Sequence, residues 1–560
     1  MKIRFHPKLL DTLSTYGRGQ MIHDASAGAT VGVLALPLAM AFAIASGMSP
    51  AAGIWTAIVA GFLISLLGGS RVQIGGPTGA FIPIIYAIVV EHGVQNLLVA
   101  TMLAGAMLVA MGAFRLGSMI RFIPISVVTG FTNGIAVVIF LSQIKDFLGL
   151  TIDSLPGDFF GRLTTLISHL DSVHGPTVAL SLASLAALLA WNRLGRRFGF
   201  MRAIPGPLGV LLVTTALTAG LALPVETVGS RFGGIPQGLP TIGLPELVLS
   251  DLGKLIAPAL TIAMLGAIES LLSARVADNR IDDRHDPNQE LLAQGAANLL
   301  APLFGGFAAT GAIARTATNI RAGGRTPVAG MVHALVLLAI VLLFAPLARH
   351  IPLATLSAIV VLVSINMGEW HAFAPSELRR YSSTYRTILL GVFLITVVFD
   401  LTLAVEIGMV LASLFFIYRI SDLTRIERVP LEDHYGVEAL SREDGTHRIQ
   451  AFRVYGSLFF GAANKLETLL LQRPGHADVV ILDMDKLINI DTTGLDILQT
   501  LHRNLLKRGA ALILCDLNAQ PGSLLRRSGF VDRLGAENIA GNLTDALIRA
   551  QAIQPATSAP

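Results

Sequence analysis

Up to about residue 420 the chain is written in long apolar runs with short polar punctuation; beyond that point the pattern changes to short alternating segments. Crossing a bilayer takes about 20 apolar residues. Runs of that order occupy 25–46, 50–69, 95–114, 122–142, 174–191, 205–223, 254–277, 326–347 and 386–420, with shorter or broken ones at 74–90, 290–304, 310–322 and 352–367. The run at 386–420 is too long for one crossing and Asp400 interrupts it, which predicts a tight helical pair. The pattern therefore predicts fourteen spans within a transmembrane domain at 25–420, preceded by a polar segment at 1–24. The first 20 residues carry Lys2, Arg4, Lys8 and Arg18 without an apolar core, so no cleavable signal peptide is expected.

After Tyr418 a charged, turn-like stretch at 421–447 reads as a linker, and 448–550 as a small α/β domain. Val479–Met484 and Ala510–Cys515 have the continuous apolar character of buried strands, and Asp491–Leu498 that of a loop entering a helix. Residues 551–560 read as a disordered tail.

Charge supports the span count and orients it. With a cytoplasmic N-terminus, the loops after even-numbered spans should be rich in Lys and Arg. They hold Arg71, Arg115, Arg121, Arg193, Arg196, Arg197, Arg202, Arg280, Arg284, Arg321, Arg325, Arg379, Arg380 and Arg386. The loops after spans 5 and 7 hold Asp153, Asp158, Asp171, Glu226, Glu246 and Asp251 with few cations. Both termini are thus expected in the cytoplasm. Composition agrees: 53% of residues are hydrophobic and 14% charged, against about a quarter charged in soluble domains. The net charge of +4 sits beside apolar segments, which suits topology control rather than nucleic-acid binding. A single cysteine, Cys515, excludes an intrachain disulfide framework.

Two glycine-rich interruptions stand at matching places. Ile74–Phe81 (IGGPTGAF) comes two spans after span 1, and Gly305–Asn319 (GGFAATGAIARTATN) two spans after span 8. Broken segments at corresponding positions of two halves point to an inverted-repeat transporter with its site at the breaks. The second break carries Arg315, a cation that costs roughly 2.5–3.5 kcal/mol at mid-membrane even on the lenient insertion scale. An anion held between Thr78-Gly79-Ala80 and Ile313-Ala314-Arg315, at two positive helix ends, would offset that cost. The alternative is an arginine that snorkels to the cytoplasm or pairs with a glutamate.

Glu269 is the one carboxylate well inside span 8. Burial disfavours the charged form of a carboxylate, so uptake of a proton or a sodium ion here would couple cation entry to anion entry. The alternative is a permanent Glu269–Arg315 ion pair that only holds the fold. Glu406 and Asp400, near span ends, suit structural hydrogen bonds; Pro37 should kink span 1 and bring Leu38 and Phe42 towards the site. Asn133 and Gln143 suit bonds to neighbouring helices, and His333 alone carries no signal. With no nucleotide-binding loop, zinc motif or nucleophile elbow, an enzyme is not expected, nor any cofactor.

Five motifs taken in order are more specific than any one of them: Leu36–Ala41, Gly75–Ala80, Gly266–Leu272, Ala314–Gly324 and Asp491–Gly494. Over nearly its full length the chain resembles the SulP sulfate-permease family of anion transporters, and its C-terminal part resembles their STAS domain. The resemblance implies a polytopic α-helical membrane protein of seven-plus-seven inverted topology, with a uracil-permease-like fold. It further implies a core domain (spans 1–4 and 8–11) that moves like an elevator against a gate domain (spans 5–7 and 12–14), in a homodimer. It places the anion at Thr78, Gly79, Ala80, Ala314 and Arg315 with Phe42 lining it, and the coupling cation at Glu269 with Ser273 one turn on. Leu38 stands where many relatives have Gln, which removes a polar contact.

The function implied is proton-coupled symport of sulfate or a similar anion in a bacterial inner membrane. The alternatives are proton-coupled C4-dicarboxylate uptake, which the run Gln143–Leu150 and Glu269 most resemble, sodium-coupled bicarbonate uptake, and a passive anion channel. A nucleobase symporter of the same fold is a further alternative, disfavoured by Arg315 and by the STAS tail; so is a membrane-tethered regulator. The loop at Asp491–Gly494 matches the one that carries a phosphorylated hydroxyl in bacterial anti-sigma-factor antagonists. Phosphorylation of Thr492 or Thr493, with a cytoplasmic regulatory partner, is the functional reading there, and a plain helix cap the structural one.

Overall fold

A computed structural model describes residues 5–118, 124–152, 154–197, 204–240, 242–246, 252–399, 401–431, 449–459 and 477–553. Arg121, Asp153, Arg202, Asp251 and Asp400, most of the expected linker and the tail from Gln554 lie outside the described residues, as does the Glu406 side chain. The chain divides into two compact units, residues 1–410 and 411–560.

The first unit is helical. Its main helices are α1 (Arg18–Ala45), α2 (Pro50–Leu67), α3 (Ile82–Ala113), α4 (Ile125–Leu148), α5 (Gly175–Arg197), α6 (Gly206–Gly220), α7 (Leu252–Ile281) and α8 (Pro287–Leu300). They continue with α9 (Ile313–Arg321), α10 (Pro327–Ala348), α11 (Leu353–Met367) and α12 (Ser383–Val398), and α13 (Leu401–Leu423) begins in the first unit and ends in the second. Among the described residues six helices are long and apolar enough to cross a membrane (α1, α2, α3 with its leading turn, α4, α7 and α10), and α5, α6, α11 and α12 are shorter apolar helices.

Local chemistry sets their starts. Proline fills the first turn of α2, α8 and α10, where its missing N–H costs nothing, and Ser49, Asp286 and Thr326 cap the amides behind it. The runs expected as spans 3 and 4 are the two helical segments of α3, which meet at a kink at Gly93, whose φ of 81° suits glycine. The run 386–420 divides into α12 and α13, as its length predicts.

Glycine lets the helices approach closely. Gly105 of α3 and Gly295 of α8 face each other: a Cβ on either would stand within 2.8 Å of the other's carbonyl oxygen. Without water to drive association, such backbone contact is how membrane helices gain packing energy.

The second unit is α/β. Its sheet runs β3 (Arg425–Arg428), β4 (Ile449–Leu458), β5 (Val479–Asp483), β7 (Ala511–Cys515), β8 (Ile539–Ala540), with β6 (Leu487–Ile490) also pairing β4. The pairs β4–β5, β5–β7 and β7–β8 are parallel, and β3 is antiparallel to β4. Strand periodicity of two sorts the side chains. Val480, Leu482, Leu512 and Leu514 pack with Leu498, Leu501 and Leu505 of α14 (Thr492–Lys507) and with Leu525 of α15 (Ala519–Arg527). Val479, Ile481, Ile513 and Cys515 pack with Ala546, Leu547 and Ala550 of α16 (Leu543–Ala552). Here the sequence reading needs correcting. Residues 425–428, read as linker, form the edge strand β3, whose charged side chains protect the open edge.

The Gly105–Gly295 crossing predicts a specific sensitivity. Gly105→Val should destabilise the detergent-solubilised protein by roughly 1–3 kcal/mol, the usual cost of overpacking. Gly391→Val, at a glycine with nothing within 4 Å of a new Cβ, should leave the thermal midpoint nearly unchanged.

Candidate functional site

The two glycine-rich breaks meet each other. Gly75 and Gly76 (β1) pair antiparallel with Gly311 and Thr310 (β2). The Ala312 N–H donates to the Ile74 carbonyl at 2.8 Å. Non-helical backbone at membrane depth must find internal partners, and side chains complete the set. Asn298 of α8 binds both the N–H of Ala309 (2.8 Å) and its carbonyl (2.9 Å). Thr56 accepts from the Phe307 N–H at 2.8 Å, and Asn319 donates to the Val72 carbonyl at 2.9 Å. Thr316 accepts from the Ile74 N–H (3.0 Å) and from the Ser273 hydroxyl (3.3 Å), while Gln73 donates to the Ser270 carbonyl (3.0 Å).

From this ribbon two helices depart. The turn Gly79–Phe81 leads into α3, and α9 starts at Ile313. The first helical bond of α9 runs from the Thr316 N–H to the Ala312 carbonyl, so the amides of Ile313, Ala314 and Arg315 precede the ladder. Ile313 and Ala314 are exposed, whereas Arg315 is 2% exposed. The positive end of the α9 dipole is thus open to a ligand. Gly79 faces Ile139 of α4 and Val363 and Met367 of α11, each within 3.8 Å of the position its Cβ would take.

The two charges at the site have separate partners. Arg315 donates through Nη2 to the Pro77 carbonyl, tying α9 to the residue just before Thr78. Glu269 of α7 accepts a 2.9 Å hydrogen bond from the Thr78 hydroxyl. They feel each other electrostatically, but each is hydrogen-bonded to the Pro77–Thr78 turn and neither directly to the other. The expected alternative of a direct Glu269–Arg315 pair is not what the side chains form; the turn stands between them.

The remaining sequence-predicted residues fall as follows. Thr78 and Ala80 are buried beside Gly79. Phe42 is buried on α1 beyond Pro37, and α1 packs against α9. Ser273 is buried one turn after Glu269 and is spent on Thr316 rather than on Thr78. In the second unit Thr492 and Thr493 are exposed in the first turn of α14, and the cap itself is Asp491, which accepts from the Gly494 N–H at 2.8 Å.

Sequence reasoning missed Asn298, Asn319, Thr316 and Thr56, whose signal was an isolated polar residue within reach of a glycine-rich break. It also missed two carboxylates that secure loops. Asp24 accepts from the Arg325 and Thr326 amides, and Glu290 from the Gly69 amide.

The profile of the sulfate permease family matches residues 21–384, and that of the STAS domain residues 443–546. The chain belongs to the sulfate permease family. YvdB of Bacillus subtilis (strain 168), which carries a provisional sulfate-transporter name, is 41% identical over 518 residues, 92% of this chain and 95% of that protein. The bicarbonate transporter BicA of Picosynechococcus sp. (strain ATCC 27264 / PCC 7002 / PR-6) is 31% identical over 485 residues, 84% of each chain. The murine Slc26a9 anion transporter in its inward-facing state shares the fold at 20% identity, with a TM-score of 0.86 over 98% of this chain and 94% of that one. This sulfate permease family member is a multi-pass membrane anion transporter, not an enzyme.

The scaffold makes a test available. Asn298→Leu keeps the branching and the heavy-atom count but strands two buried backbone groups, at roughly 1–3 kcal/mol each. Its thermal midpoint in detergent should fall well below that of Gln95→Leu, a substitution at a surface loop contact.

Proposed function

We propose that this permease is a proton-coupled symporter of sulfate or a similar inorganic anion, working by elevator-type alternating access. The observation that carries the reading is the pair of helix starts at Gly79 and Ile313, joined by the β1–β2 ribbon with Arg315 directly behind it. Amides ahead of a helix ladder plus a buried guanidinium favour an anion without needing a mobile side chain. Thr78, Gly79, Ala80, Ala314 and Arg315 hold the anion in this reading, and Phe42 lines the space beside it.

Coupling follows from the Thr78–Glu269 hydrogen bond. While Glu269 is ionised, its negative charge lies one residue from the α3 helix start and opposes an incoming anion. A proton on the carboxyl removes that charge, and the anion then enters. Release of both on the far side restores the carboxylate. The net step moves one proton with each anion, and no covalent bond is made or broken except at the carboxyl. Ser273 serves Glu269 indirectly, by holding Thr316 and so the β1–β2 ribbon. Core and gate domains, fourteen spans, two cytoplasmic termini, a bacterial inner membrane and a homodimer complete the reading. The exposed Thr492 and Thr493 beside Asp491 are the surface on which a cytoplasmic regulator or a kinase would act.

The likeness to the bicarbonate transporter BicA over most of its length favours bicarbonate as a second substrate, and sodium at Glu269 in place of a proton is the coupling that would go with it in this second reading. Proteoliposomes separate the two. Radiolabelled sulfate, bicarbonate and succinate are offered at pH 5 and pH 7.5, with and without sodium. An inward proton gradient should accelerate sulfate uptake at least several-fold, Glu269→Gln should abolish the acceleration, and Arg315→Ala should abolish saturable uptake. Sulfate and succinate uptake that both ignore the gradient would overturn proton coupling. Large anion currents through Glu269→Gln would indicate a passive channel instead.

A further inference from the structure

Three buried polar side chains with unpaired atoms meet one face of α2. Ala57, Gly61 and Ser65 follow one another at successive turns, so they share a face. Ala57 lies against the point where Gly76 meets the Nη1 end of Arg315. One turn on, a Cβ at Gly61 would stand 3.3 Å from the ring of His333 and 3.1 Å from the Gly75 carbonyl. Another turn on, Ser65 abuts Gly330 of α10, the helix that carries His333. The missing side chain at Gly61 is what leaves room for the imidazole. Arg315, His333 and Ser65 are at most 3% exposed. Arg315 Nη1 and Ser65 Oγ make no hydrogen bond, and neither ring nitrogen of His333 has a partner of good hydrogen-bond geometry.

Buried polar atoms without partners are rare in folded proteins, and these are complementary in kind. A guanidinium has only donors, a neutral imidazole has one donor and one acceptor, and a hydroxyl has both. The order Arg315, His333, Ser65 along α2 therefore forms a directional chain. The charge that acts on His333 is that of Arg315, and the Gly330 backbone one turn earlier addresses the ring. Asp24, at the N-terminal cap of α10 about two turns before His333, is occupied by the Arg325 and Thr326 amides and the Thr326 hydroxyl. Glu269 lies beyond the Pro77–Thr78 turn, bonded to Thr78.

We propose that His333 is the positioning residue for Arg315: an imidazole nitrogen accepts from Nη1, directly or through one water, and the imidazole N–H is passed on to Ser65 or the Gly330 carbonyl. Arg315 is then held at both amino groups, Nη2 by the Pro77 carbonyl and Nη1 by His333. The charge stays behind the helix starts and supports the anion there without swinging into its path. The inference deepens the anion-site reading and rests on it.

The test uses full-length protein in proteoliposomes and radiolabelled sulfate, bicarbonate or succinate, whichever the unsubstituted protein transports. His333→Leu removes the acceptor, His333→Phe is a second variant that removes it, and His333→Gln keeps an acceptor and a donor. KM should rise about tenfold in the leucine and phenylalanine variants, the scale of one hydrogen bond to a charged group, with kcat changed much less. His333→Gln should recover most of the loss. An unchanged KM in the variants without an acceptor, or a glutamine variant as impaired as leucine, overturns the proposal; so does a lowered thermal midpoint without a KM shift. Arg315→Lys is the control for the underlying reading. If it leaves KM unaltered the anion site itself is wrong, whereas an Arg315 effect without a His333 effect removes only the positioning role.

Discussion

Backbone groups in a bilayer have no water to turn to, and that constraint organises the transmembrane unit of this permease. Breaking two helices at membrane depth exposes amides and carbonyls that must be satisfied inside the protein. The two breaks satisfy each other: Gly75 and Gly76 pair with Gly311 and Thr310, and Ala312 reaches Ile74. Asn298, Asn319, Thr316, Thr56 and Gln73 take up what the ribbon leaves. Each of these polar side chains is tolerated in an apolar surrounding because a broken helix needs it.

The same solution creates the site. Two helices that start from one short ribbon bring their positive ends to a common place, and the amides ahead of α9 face a space where Ile313 and Ala314 are exposed. Arg315 adds its charge from behind, bonded to the turn of the other helix. Glu269 approaches that turn through Thr78. A single two-residue turn, Pro77–Thr78, thus carries the mechanical link between the guanidinium, the carboxylate and both helix starts. In the proposed symport, this link is what would let cation binding at Glu269 be felt at the anion position.

Much of this was legible in the sequence, for physical reasons that differ by element. Glycine-rich interruptions in apolar runs can be recognised because lipid permits few explanations for them, and Arg315 stands out because an intramembrane charge is expensive. The α/β unit was readable from continuous apolar strands separated by helical patterns. Strand β3 was not: at four residues, with charges on an edge, its pattern matches a turn-rich linker equally well. Nor did the sequence reveal which partner each charge takes. Glu269 and Arg315 invite pairing as opposite charges, but the turn between them offers each a hydrogen bond. His333 carried no signal until Gly61 and the unpartnered Nη1 of Arg315 were seen on the same helix face.

The central claim is that an anion sits at the start of α9, and labelling at Ala314 addresses it at the position itself. Native Cys515 is buried in the α/β unit, where burial keeps its thiol protonated and slow to react. In reconstituted Ala314→Cys protein, the rate of modification by a small thiol reagent is measured against increasing concentrations of the transported anion. Occupancy of the site predicts that labelling slows in a saturable way, with half-protection near the KM for uptake in the same variant. Labelling that proceeds at the same rate at saturating anion would contradict the account.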